Sequence, residues 1–176
     1  MNIIEATPEL ASVLSGADHI DVKTAESAAP LREFVAGAVN WRPGWVRALF
    51  RARAVLARLL RLRESDIPSG RLLRPEEISF AAGSRIAFFT VTDASEDQYV
   101  VLEATDSHLT GRLAVVRTPL TDGRARFEVT TVVTYHRWTG PFYFNVIRPF
   151  HHLVVVGMTK AGARSAPGTP EGSTTS

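Results

Sequence analysis

The chain has 176 residues, of which 45% are apolar, enough for one well-buried core and cramped for two. Its 20 basic and 18 acidic residues leave a net charge of +2, and a balance so close to neutral argues against a general nucleic-acid binder. Cysteine is absent, which excludes disulfides, thiolate metal sites and a cysteine nucleophile.

Residues 1–17 are weakly patterned and expected to be weakly ordered, apart from a helical turn over 8–14. They show neither a basic leader nor an unbroken apolar run. No stretch of the chain reaches the roughly 20 apolar residues of a membrane span, so a soluble, cytoplasmic protein with no transmembrane segment is expected. Residues 19–25 read as a first strand, with Ile20 and Val22 on one face. Pro30 is placed to start a helix running to residue 39, which Trp41-Arg42-Pro43-Gly44 then breaks. A second helix is predicted over 45–62, where Trp45, Leu49, Leu56, Leu59 and Leu60 recur at helical spacing. Trp41 and Trp45 flank the junction as core or staple residues.

The period then changes from 3.6 to 2. Strands are predicted near 77–82, 85–93, 98–105, 108–118 and 124–136, joined by short turn-forming links such as Thr121-Asp122-Gly123. Links this short connect antiparallel neighbours. In the last strand Phe127, Val129, Thr131, Val133 and Tyr135 share one face, and Arg126, Glu128, Thr130 and Thr134 share the other, so one face is expected to be apolar and the other wet. A long apolar helix over 138–160 supplies the cover. Tyr143, Val146, Ile147, Phe150, Leu153, Val154 and Met158 form its predicted buried stripe, Asn145, Arg148 and His152 lie opposite, and Pro149 predicts a kink or a restart. The tail 164–176 is rich in Pro, Gly, Ser and Thr and is expected to be disordered. The resulting class is α+β, with a curved antiparallel sheet of about six strands covered on one side by helices over a single domain, 18–163.

Three sets of residues carry a resemblance across residues 18–162. They are Trp45-Val46-Arg47-Ala48-Leu49, the run Asp106-Ser107-His108-Leu109 followed by Arg112, and Arg148-Pro149-Phe150-His151. The chain resembles the START and Bet v 1-like helix-grip superfamily, which includes polyketide cyclases. More narrowly it resembles a bacterial domain family of unknown function, also found fused behind short-chain-dehydrogenase-like or epimerase-like domains. The resemblance implies a helix-grip fold with a long kinked C-terminal helix on the concave face, and a cavity beneath it. Gly111 stands where that family commonly carries an aromatic. No catalytic residues come with the resemblance, because the family has no assigned reaction.

Several residues are candidates for a site. Asp106 and His108, two apart at a hairpin mouth, would point the same way in a strand with Arg112 further along, and a carboxylate beside an imidazole suits acid or base work. Against this, Asp106 can simply cap the turn. His136, next to Tyr135, and His151 could hydrogen-bond a buried ligand, although histidines at such boundaries are more often packed amphipathic residues. Arg47, Arg51, Arg58 and Arg61 form a basic arc on the second helix, which an ordinary solvated face would also explain. Neither metal-ligand spacing, a phosphate loop nor a nucleophile elbow occurs, so neither metal nor cofactor is expected.

The first reading is a module that binds a small hydrophobic ligand in a cavity lined by Arg112, Leu113, Val115, Phe127, Val129, Val133, Tyr135, His136, Phe150, His151 and Val154. The second is a polyketide cyclase/dehydratase-like enzyme moving a proton through Asp106, His108 or Tyr135; the balance of the sequence weighs against catalysis. The third is association with a membrane or partner surface through the arginine arc.

Overall fold

Alternating apolar residues and short turns in the second half of the chain fold into a continuous antiparallel ladder. In the computed structural model, which describes residues 8–59, 72–106, 109–137 and 139–165, β2 (Arg85–Ile86), β3 (Phe89–Ser95), β4 (Tyr99–Thr105), β5 (Leu109–Pro119) and β6 (Ala125–Tyr135) pair in sequence order. The first strand, β1 (His19–Ser27), pairs with β6 along its whole length, from His19 opposite Val133 to Ser27 opposite Ala125. The order across the sheet is therefore β1-β6-β5-β4-β3-β2. The β5–β6 turn needs a left-handed residue, and Gly123 supplies it at φ 82°.

Because β1 and β2 lie at opposite edges, the chain between them must cross the sheet. That crossing begins with α2 (Leu31–Asn40) and α3 (Gly44–Leu59). Leu31, Phe34, Val35 and Val39 of α2 join Val100, Leu102, Leu113, Val115, Phe127 and Val129 in one buried core. The C-terminal helix, α4 (Thr139–Ala163), runs unbroken through Pro149 and packs beside α2. The two helices approach so closely that a Cβ on Gly162 would lie 2.7 Å from the Phe34 carbonyl oxygen, and one on Gly157 would overlap the Trp41 ring. Ser27 ties the helix end to β1 by donating to the Ala163 carbonyl at 2.6 Å.

Four expectations need correction. The strand expected over 77–82 does not form. Pro75–Glu77 is a single 3-10 turn, with the Glu77 carboxylate accepting from the Arg74 N–H at 2.9 Å; it takes up the first residue of the expected strand, and acidic residues favour such a helical N-terminus. The sheet face expected to be wet is partly dry. Glu128, Thr130 and Val132 are buried there, because α1 (Pro8–Ala11) and the 3-10 turn Ser12–Leu14 lay Leu10 and Val13 against Val101, Ala114, Val116 and Val132. The helical turn expected over 8–14 thus becomes an outer cover for the sheet. On α4 the buried face is rotated from the predicted stripe: Tyr143, Phe144, Val155 and Thr159 are buried, whereas Val146, Phe150 and Leu153 are exposed. Trp45 is also largely exposed, edge-on to Trp41. Residues 1–7 of the predicted weakly ordered N-terminal segment and 166–176 of the predicted tail lie outside the described residues, as do Leu60 and the remainder of the second predicted helix.

Phe127 and Phe34 stack at 4.0 Å between centroids, almost parallel, and both are fully buried. Truncating Phe127 to Ala is expected to cost about 3–5 kcal/mol by denaturant titration, since the stack joins sheet to helix where nothing can collapse into the gap.

Candidate functional site

The concave face of the sheet and α4 do not close on each other completely, and a cavity of about 450 Å³ lies between them. Its floor is Leu113, Val115, Val129, Thr131 and Val133 from β5 and β6. Its roof is Tyr143, Phe144, Ile147, Val154 and Val155 from α4. Trp41, Val46 and Leu49 close the side formed by α2 and α3, and Ala87 and Phe88, at the tip of the β2–β3 hairpin, close another. Ala87 holds the turn at φ 57°, a left-handed conformation that a side chain disfavours. Gly111 contributes room: a Cβ there would meet nothing nearer than the Ala104 carbonyl oxygen at 3.9 Å. At the other end the cavity stops where the Phe34–Phe127 stack fills the layer.

Of the residues picked from sequence, Leu113, Val115, Val129, Val133, Phe150, His151 and Val154 border this space, together with Asp106 and Arg112. Phe127, Tyr135 and His136 are not among the lining residues. Phe127 sits deeper in the core. Tyr135 packs its ring 6.0 Å from that of Phe144. His136 Nε2 shares a 2.8 Å hydrogen bond with Thr110 Oγ1, which in turn lies 3.0 Å from Thr105 Oγ1.

Arg112 borders the cavity without aiming its guanidinium into it. Strand alternation puts Arg112 on the side of Ala114 and Val116, the outer face, where its Nε donates to Glu103 Oε2 at 2.9 Å. His108 lies outside the described residues. Arg47 and Arg51 are exposed on α3; the side chain of Arg58 and the whole of Arg61 lie outside the described residues.

The cavity also uses residues not selected from sequence, among them Trp41, Phe88, Phe144 and Thr131. Phe88 belongs to a turn, where periodicity says nothing. Phe144 is recruited by the rotation of α4. Thr131 had a legible signal, because it shares the apolar face of β6 with Val129 and Val133.

Thr131 is 4% exposed and its Oγ1 finds no hydrogen-bond partner among the described residues. A buried hydroxyl left unpaired costs on the order of 1–3 kcal/mol, and this one lies in the cavity wall, available to a polar atom of an occupant. Burial, reinforced by the Asp18 carboxylate, raises the Tyr135 phenol above its ordinary pKa, so it stays protonated at neutral pH and is no base. Burial and then the Arg148 guanidinium hold the His19 imidazole below its ordinary value of 6.5. Among the described residues no three His, Asp or Glu side chains gather as metal ligands, and no helix is long and apolar enough to cross a membrane.

An antiparallel sheet gripping a long C-terminal helix, with a cavity between them, defines a helix-grip domain. The chain belongs to the family described as Protein of unknown function (DUF2867), whose model matches residues 13–158. Solved structures similar to it share little sequence. The Mll3558 protein from Rhizobium loti is 13% identical, with 84% of this chain and 96% of that one covered and a TM-score of 0.44. A START superfamily protein from Mycobacterium smegmatis is 11% identical, with 81% and 95% covered and a TM-score of 0.38. Norcoclaurine synthase from Thalictrum flavum is 10% identical, with 83% and 92% covered and a TM-score of 0.39. No curated protein matches the chain.

Two outcomes are expected. Thr131→Val, nearly isosteric, removes the unpaired hydroxyl and should raise the stability of the empty protein by roughly 1 kcal/mol in urea; a loss of that size would show that the hydroxyl has a partner. An imidazole that binds its proton less readily folded than unfolded adds stability that is complete above the unfolded pKa and is lost as pH falls below it. The stability of the protein should therefore decline as pH drops below about 6.5, and His19→Gln should flatten the first part of that decline.

Proposed function

We propose that this chain is a cytoplasmic binding module for a small hydrophobic ligand, built as one helix-grip domain over residues 18–163 with the preceding helical turn as its outer cover. The observation that carries the reading is the cavity of about 450 Å³ between the concave face and α4. Its size falls within the usual range of small-molecule sites, and an almost wholly apolar wall with one or two polar groups is the common composition of such sites. Here the wall is mostly aliphatic and aromatic, with Arg42, Asp106, Arg112 and His151 also bordering it, and the Thr131 hydroxyl offers a fixed hydrogen-bonding point. That favours a ligand with an apolar body and a single oxygen or nitrogen along its length. Arg112 contributes little charge to such a ligand, because Glu103 already neutralises it.

A second reading, a polyketide cyclase/dehydratase-like enzyme, rests on one observation: Asp106 is the one carboxylate among the described lining residues. A proton-transfer group at the cavity edge is compatible with chemistry on a bound molecule.

Native mass spectrometry of freshly purified protein tests both readings, with an environment-sensitive apolar dye such as N-phenylnaphthylamine as the probe. Saturable binding of one dye per chain is expected. Gly111→Phe, which pushes a ring into the open space above β5, should weaken it by about tenfold or more, the equivalent of 1.4 kcal/mol. Absence of saturable binding, or a Gly111→Phe protein that folds and binds as tightly, would sink the binding-module reading. A co-purified molecule that is recovered chemically unchanged after prolonged incubation counts against the enzyme.

A further inference from the structure

Apolar side chains at the rim of the cavity face water in two helical stripes. On α3, Trp45, Ala48, Ala52 and Val55 are all exposed and recur at three and four residue steps, so they share one arc of the helix. On α4, Phe142, Val146, Phe150 and Leu153 do the same, each between 45% and 58% exposed. Ala52, Val146 and Phe150 also line the cavity, which places both stripes around the same opening. Contiguous exposed apolar surface of this kind marks a contact site.

The charge on the two rim helices is one-sided, the nearest carboxylates being Asp106 at the cavity edge and Asp21 beside His152. No Asp or Glu occurs between Glu33 and Glu64, or between Glu128 and Glu171. Both helices at the rim are therefore free of carboxylates, and Arg47 and Arg51 stand exposed beside the α3 stripe, four residues apart. A second copy of the chain is a poor occupant, because it would set arginine against arginine with no acidic group on either helix to relieve it. The surface that matches both features presents negative headgroups and apolar chains together. A helix with arginine on one arc and tryptophan on the next is suited to the plane of a bilayer interface.

We propose that the α3–α4 rim docks on an anionic lipid bilayer, with the Phe142 to Leu153 stripe and Trp45 in the interface and Arg47 and Arg51 at the headgroups. The docked cavity then opens toward the lipid. The inference stands apart from what the cavity holds, since none of the residues altered in its test lines that space.

Co-sedimentation of the full chain with vesicles is the test, using phosphatidylcholine alone and phosphatidylcholine carrying a minority of phosphatidylglycerol. Binding to the anionic vesicles is expected, weakened by salt and faint on neutral ones. R47Q/R51Q should lower the partition coefficient by about fivefold for each arginine. F142Q/L153Q should abolish binding while keeping dye affinity and Tm, because both side chains are exposed and outside the cavity wall. The proposal is overturned by no pelleting with anionic vesicles at low salt, by equal binding to neutral ones, or by either double variant binding like the parent. Capture on poly-glutamate without vesicle binding, or a dimer that F142Q/L153Q dissolves, overturns it as well.

Discussion

The close approach of α2 and α4 governs the rest of the molecule. Three glycines lie along the seam, and at Gly157 and Gly162 even a methyl group would collide with Trp41 or with the Phe34 backbone. The contact clamps the C-terminal half of α4 against the core, with Ser27 and the Phe34–Phe127 stack beneath it. In the other half Phe144 packs beside His19 and Tyr135, while residues from Tyr143 to Val154 roof the cavity, so the clamp stands at one end of that space. A helix packed equally well along its whole length would have left a solid core.

Burial and exposure are distributed accordingly. The tight end holds side chains that are nearly or fully buried, such as Phe34, Phe127 and Val155, where any change of volume is felt. The open end has small or flexible boundaries: Gly111 in the floor, the strained Ala87 turn at the β2–β3 tip, and Phe150 half out of the protein in the roof. Polar groups around the cavity are mostly committed elsewhere. Arg112 is held by Glu103, and the phenol of Tyr135 is kept neutral by burial. The Thr131 hydroxyl, without a hydrogen-bond partner among the described residues, gives the wall a specific point of recognition.

Much of the fold was legible because two periods do most of the encoding. Period 2 located β4, β5 and β6 within a few residues but ran β2 and β3 together as one strand over 85–93, and the short links between strands dictated antiparallel pairing. The misplaced strand over 77–82 failed for a local reason, the proline and glutamates that close a 3-10 turn. Other misses were tertiary. Nothing in the alternation of β6 says that Leu10 and Val13, more than a hundred residues away, will dry its second face. The stripe on α4 was read from hydrophobicity alone, and Val146, Phe150 and Leu153 are hydrophobic without being buried. For the site, strand alternation placed the floor residues Leu113, Val115, Val129 and Val133. It could not supply Phe88, which a turn positions, nor show that the Arg112 guanidinium is held by Glu103.

The small N-terminal cover has a wider meaning. Leu10 is fully buried, yet the helix that carries it spans only Pro8–Ala11; so short a helix has almost no stability of its own and exists because the sheet receives it. Whatever loosens that segment, be it proteolysis, a fused partner or a mutation at Val13, would uncover Val101, Ala114, Val116 and Val132 as a flat apolar band on a β-sheet. The domain would then have two sticky sides instead of one, and its solubility would depend on a handful of residues that belong to neither its sheet nor its cavity.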